Sequence, residues 1–185
     1  MQCMGMKENQ VIQVILAEKL AVLAHAGQNR KFGNSHVPFF YHPRKVAFRV
    51  SNHPRATPEM IAASYLHDTI EDASDKGFTA EYLLEKGVSA EVLEIVLALT
   101  NPSKKMVGAT RAEKKAVDRE HLKGQKWEVK LIKLVDRIDN MTDVVNDKET
   151  PADFVVKYKA ESKLLLEVLR GTDAELEKEL EELVK

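Results

Sequence analysis

Hydrophobic positions in this chain recur at intervals of three and four, the spacing of one helical face, and no stretch alternates as a strand does. Val11, Ile12, Val14, Ile15, Ala17, Leu20, Val22, Leu23 and Ala24 predict a long, mostly apolar helix, hence a central one, running out near Gly27. Residues 29–41, with their Gly, Asn, Ser and Pro, predict a loop. Pro43 suits the first turn of a second helix over about 43–52. Thr57-Pro58-Glu59 opens a third helix, ending near Thr69. Thr79 begins a short helix ended by Gly87, and Ser89 caps another through Leu99. Residues 101–110 form a connector, 111–121 a heavily charged helix, and Trp127 to about Asp143 an amphipathic one. Pro151 starts a long helix to Arg170, and Gly171 separates it from a charged helix over 173–185. The pattern predicts one all-α domain over residues 1–185, a bundle of about eight to ten helices without internal repeats.

Charge and composition narrow the function classes. The 185 residues carry a net charge of −1 with a pI near 6.6, so no global basic field draws nucleic acid, and an anionic ligand needs a local cluster. The single cysteine, Cys3, has no internal partner, which fits a reducing cytoplasm. The opening residues lack a signal-peptide core, and no apolar run approaches the roughly 18 residues of a membrane span. A cytoplasmic protein independent of membranes is expected. The amphipathic run D-A-E-L-E-K-E-L-E-E-L-V-K predicts a last helix packed on its own bundle, with a homo-oligomer contact as the alternative.

The chemistry concentrates in four places. In S-Y-L-H-D-T-I-E-D-A, residues 64–73, His67 and Asp68 follow an apolar run, and Glu71 and Asp72 come three and four residues later. Carboxylates at the end of a helix oppose its dipole and repel Asp68. A divalent metal would relieve that repulsion, and imidazole with carboxylate suits a transition metal. A neighbouring carboxylate then serves as general acid or base. In K-L-V-D-R-I-D-N, residues 133–140, Asp136 and Asn140 share a helix face at i and i+4, with Lys133 and Arg137 a second such pair beside them. A solvated face with a Lys133–Asp136 pairing is the plainer reading of that segment. His42, in F-Y-H-P, stands at the start of a helix, as a ligand or as a packing residue. Arg30 and Lys31, in A-H-A-G-Q-N-R-K-F-G, follow a helix end, as cations for base and phosphate or as a basic cap.

Taken in order, H-x-G-Q-x-R-K, H-P, H-D-T-x-E-D and D-R-x-x-N closely resemble the HD-domain hydrolases of the RelA/SpoT type over roughly residues 17–145. Those enzymes remove the 3′-pyrophosphate from the alarmones ppGpp and pppGpp, and the stand-alone form is the small alarmone hydrolase. The resemblance implies an HD-domain helical bundle in which His42, His67, Asp68 and Asp136 bind one Mn²⁺. It implies that Glu71 and Asp72 handle the attacking water, that Arg30 and Lys31 contact base and phosphates, and that Asn140 contacts the sugar. Lys133 and Arg137 would hold the anionic substrate.

Two departures touch the nucleotide pocket and leave the metal motif intact. Pro38-Phe39 stands where family members typically carry Pro-Tyr, and Asn29 where a second basic residue is common. The alternatives are a phosphatase acting on NADPH or a deoxynucleoside 5′-monophosphate, and a module that binds an alarmone without turnover. The unassigned His25 lies on an apolar helix and reads as a satisfied packing residue.

Overall fold

The computed structural model describes residues 7–31 and 36–185, and within them the chain is all-α. Cys3 and residues 32–35 of the predicted loop lie outside that range. The elements are α1 (Glu8–Ala24), α2 (Tyr41–Ser51), α3 (Pro58–Leu66), α4 (Thr69–Ala73), α5 (Ala80–Glu85), α6 (Ala90–Leu99), α7 (Arg111–Lys123), α8 (Trp127–Asn146), α9 (Ala152–Leu169) and α10 (Ala174–Val184). Single 3₁₀ turns follow α4 and α6. The one β-type pairing among the described residues is an isolated bridge between Asn29 and Pro38, which pins the loop ahead of α2.

The helix starts follow from capping chemistry. Thr57, Thr79, Ser89 and Thr110 each accept a hydrogen bond from the backbone three residues on. Gly87 and Gly171, at φ +93° and +80°, turn the chain after α5 and α9 in the left-handed region that costs glycine least.

The centre of the bundle is α8 rather than α1. Leu131, Ile132, Leu134, Val135, Ile138 and Met141 are buried along α8, and α2, α9 and α10 pack on it. On α1 only Ala17, Leu20, Ala21 and Ala24 are buried, against α3, while Ile12, Ile15 and Leu23 stay exposed. The nearly unbroken apolar run of α1 therefore overstates its burial: it lies on one side of the bundle. α10 buries Leu180 and Val184 against α8 and α9, the arrangement expected of a last helix on its own bundle. No helix of the described residues is long and apolar enough to cross a membrane.

The expected third helix is broken. It ends at Leu66, His67 and Asp68 form the joint, and a new helix starts at Thr69. The second helix begins two residues early, at Tyr41, so His42 lies within its first turn.

Candidate metal centre and adjoining cavity

His42, from α2, and His67 and Asp68, from the α3–α4 joint, bring one donor atom each within 4.8 Å of one another. Asp136, from α8, completes the cluster. His42 Nε2 lies 3.1 Å from Asp136 Oδ1 and 3.6 Å from Asp68 Oδ2. His67 Nε2 lies 3.2 Å from Asp68 Oδ2 and 3.8 Å from Asp136 Oδ1.

The other ring nitrogens fix the protons. His67 Nδ1 is 2.8 Å from the Ser64 carbonyl, which only accepts, so this nitrogen carries the hydrogen. His42 Nδ1 is 2.6 Å from Asp139 Oδ2 and donates to it. Both Nε2 atoms are buried without a hydrogen-bond partner, aimed at two carboxylates. Buried ring nitrogens that face anions need a positive charge between them, a proton or a metal ion. Two imidazole nitrogens and two carboxylates make a donor set suited to a divalent transition metal, so these residues fit such an ion.

The charges of the cluster depend on one another. Burial opposes ionisation of His67, but Asp68 and Asp136 outweigh it and hold the imidazole well above its usual range. Burial likewise opposes ionisation of Asp68 and Asp136. Facing His67 holds the first well below the usual carboxylate range, and Lys133 and the histidines do the same for the second.

Asp136 is held by two neighbours on its own helix. Lys133 Nζ lies 2.8 Å from its Oδ2, and Asn140 donates to its Oδ1. The Lys133–Asp136 pairing therefore exists, as part of the cluster rather than on a solvated face. Arg30 donates to Asn140 Oδ1 at 2.9 Å and to Asp143 Oδ2. At 7% exposure it is a buried strut more than a surface cation. Arg137 turns the other way, donating to Ser162 Oγ at 3.2 Å with its guanidinium over the Tyr158 ring.

Glu71 and Asp72 lie in the first turn of α4, where the dipole favours carboxylates, so the expected opposition to a helix end disappears. Both also have partners. Asn101 donates to Glu71 through its side chain at 2.8 Å, and Lys104 lies 3.1 Å from Asp72 Oδ1 and 3.8 Å from Glu71 Oε1. Burial, then the charge of Asp68, raises the Glu71 carboxyl above its usual range.

Beside the cluster is a cavity of about 200 Å³ lined by Arg30, Lys31, Phe39, Asn140, Val144, Phe154 and Tyr158. It brings together Arg30, Lys31 and Asn140 from distant parts of the chain. Phe39 lies edge-on to His42 with ring centroids 5.7 Å apart, joining cavity to cluster. Tyr41 is half exposed and lines a groove between α1 and α2 instead. His25 packs on Phe39 and pairs Nδ1 with Gln28, but its buried Nε2 has no partner, so it is only half satisfied.

Asp139, Asp143, Lys45 and Lys104 also belong to the site, although no sequence motif singles them out. Asp139 and Asp143 fall three and seven residues after Asp136, the spacing of its own helix face, and that signal was present. Lys45 and Lys104 reach the site only through tertiary packing.

No protein-family model matches the chain. A guanosine-3′,5′-bis(diphosphate) 3′-pyrophosphohydrolase from Danio rerio, MESH1, is 30% identical over 175 residues, covering 91% of this chain and 92% of the relative. The Drosophila melanogaster MESH1 is 29% identical, with 89% of each chain covered. Among solved structures, a metazoan ortholog of SpoT described as hydrolysing ppGpp superposes with a TM-score of 0.79 at 25% identity, covering 92% of this chain and 93% of its own.

Proposed function

The chain belongs to the family of guanosine-3′,5′-bis(diphosphate) 3′-pyrophosphohydrolases, and from that premise we propose that it hydrolyses the 3′-diphosphate of ppGpp and pppGpp to leave GDP or GTP and pyrophosphate. The observation that carries the reading is the pair of buried, partnerless Nε2 atoms facing two carboxylates. His42, His67, Asp68 and Asp136 are the residues that would hold a divalent cation, with Mn²⁺ the ion the resemblance implies. When bound, that ion supplies Lewis acidity, neutralising charge on phosphoryl oxygens and acidifying water.

Hydrolysis forms a bond from a water oxygen to the phosphorus next to O3′ and breaks the P–O3′ bond. The water loses a proton and O3′ gains one. We assign the proton acceptor to Glu71, whose buried carboxylate beside Asp68 is a stronger base than an exposed one. Asp72 and Lys104 flank it, and Asn101 fixes the orientation of its carboxylate.

The cavity is assigned to the nucleoside, with aromatic faces for the base and Asn140 for the sugar. Lys31, exposed at its edge, offers charge to phosphate, and Arg30 holds Asn140 in place. Lys133 balances the carboxylates of the cluster in a protein with almost no net charge. The same reading treats residues 17–145 and the C-terminal helices as one HD-type unit, supported by the packing of α9 and α10 on α8.

The test is phosphate and pyrophosphate release from ppGpp, NADPH and a deoxynucleoside monophosphate, each with Mn²⁺. Pyrophosphate from ppGpp alone, or far faster than any release from the others, is expected. Turnover confined to NADPH or the monophosphate would keep the metal site and move the substrate. Binding of ppGpp with no turnover would make the chain a sensing module.

A further inference from the structure

Asp139 is one residue before Asn140 and fills an unspecified position of the D-R-x-x-N motif, with no role assigned to it above. Its carboxylate nonetheless meets three charged or polar groups from three parts of the chain. Oδ2 accepts from His42 Nδ1 at 2.6 Å, Oδ1 lies 2.8 Å from Lys45 Nζ, and Arg30 Nη2 lies 3.7 Å from Oδ2. The side chain is 13% exposed, so the contact with His42 is shielded from water. Lys45 and Arg30 also reach Asp143, one turn further along α8, so two cations brace two carboxylates against the end of α2 and the loop before it.

A neutral imidazole carries its single hydrogen on either nitrogen, and only the nitrogen without it can bind a metal. No other hydrogen-bond partner settles that choice for His42. Its Nε2 has no hydrogen-bond partner, and its ring is wholly buried. With the Asp139 carboxylate removed, a hydrogen on Nε2 could point at Asp136, 3.1 Å away, and occupy the direction a cation needs. His67 solves the same problem locally, through a backbone carbonyl of its own helix. His42, in the first turn of α2, has no such carbonyl and draws its acceptor from α8.

We infer that Asp139 is a positioning residue for the metal centre, acting through His42. It holds the imidazole with the hydrogen on Nδ1 and the Nε2 lone pair toward Asp68 and Asp136, while Lys45 and Arg30 hold Asp139. The inference rests on the assignment of His42 as a metal ligand. Carboxylates that orient a ligating histidine typically contribute 10- to 100-fold in metal affinity.

The experiment measures Mn²⁺ affinity by calorimetry, and the His42 tautomer by long-range ¹H–¹⁵N spectra of the metal-free protein. Wild type, Asp139→Ala, Asp139→Asn and Asp139→Glu are compared, each checked for folding by thermal melting. Wild type is expected to bind one ion and to show His42 hydrogenated on Nδ1. Asp139→Ala should bind about 10- to 100-fold more weakly with the tautomer mixed or reversed. Asp139→Asn, which keeps an acceptor oxygen and loses the charge, should fall between, and should decide the matter if the alanine variant does not fold. Asp139→Glu should restore part of the affinity. Unchanged affinity and an unchanged tautomer in folded Asp139→Ala or Asp139→Asn would overturn the inference while leaving the metal site standing. A wild type that takes up no ion would instead overturn the metal assignment, and this inference with it.

Discussion

The two nitrogens of each site histidine do different work. On His67 and His42 the Nδ1 side is tied to an acceptor, and the Nε2 side is aimed into the carboxylates of Asp68 and Asp136. Asp68→Ala removes the donor closest to His67, so metal binding and turnover should be lost together. Calorimetry with Mn²⁺ alongside an activity assay checks this, and retained activity would strike Asp68 from the ligand set. Glu71→Gln keeps the shape and the Asn101 contact but removes the base. It should leave Mn²⁺ uptake intact and slow turnover by roughly 10²–10⁴-fold. Wild-type rates in that variant would remove Glu71 from the mechanism. The residues named for this site from sequence were those whose types are rare beside one another, such as His67-Asp68. Lys45 and Lys104 were not legible, because each matters through a partner distant in the chain, Asp139 for the first and Asp72 for the second.

At the scale of elements, starts and stops were legible because they are local. Thr57, Thr79 and Ser89 each accept the backbone bond that a cap supplies, and Gly87 and Gly171 take the left-handed turn. The break at His67-Asp68 was not legible, because no glycine or proline marks it. Its cost is met by the local Ser64–His67 bond and by the burial of Leu66 and Thr69 in the bundle. The burial of α1 was misread because a helix apolar all round still contacts the core along one stripe. Capping also yields a stability test away from the site. Asp173 accepts from the backbone of Leu176 and Glu175 at the start of α10, and these bonds with that to His53 hold its carboxyl below the usual range. Because the folded value is lowered, its contribution is complete above the ordinary carboxylate range and is lost as pH falls through the lowered value. Asp173→Ala should therefore cost about 1 kcal/mol near neutral pH. Urea melts should show the gap to wild type closing as pH falls below the ordinary carboxylate range, and a gap independent of pH would mean the carboxylate charge is not what caps α10.

Across the whole molecule, a chain of net charge −1 meets a highly anionic nucleotide by concentrating its cations. Lys133 and Lys104 stand at the acidic cluster, and Arg30 and Lys31 at the cavity beside it. One face of α8 carries the link, with Lys133, Asp136, Asp139, Asn140 and Asp143 spaced over three turns. The most direct test of the central claim, metal-dependent removal of the 3′-diphosphate, is product analysis of ppGpp incubated with the purified protein, with Mn²⁺ and with EDTA. The account predicts GDP and pyrophosphate in equal amounts with Mn²⁺ and none with EDTA. Equal turnover in EDTA, or release of single phosphates instead of pyrophosphate, would contradict it.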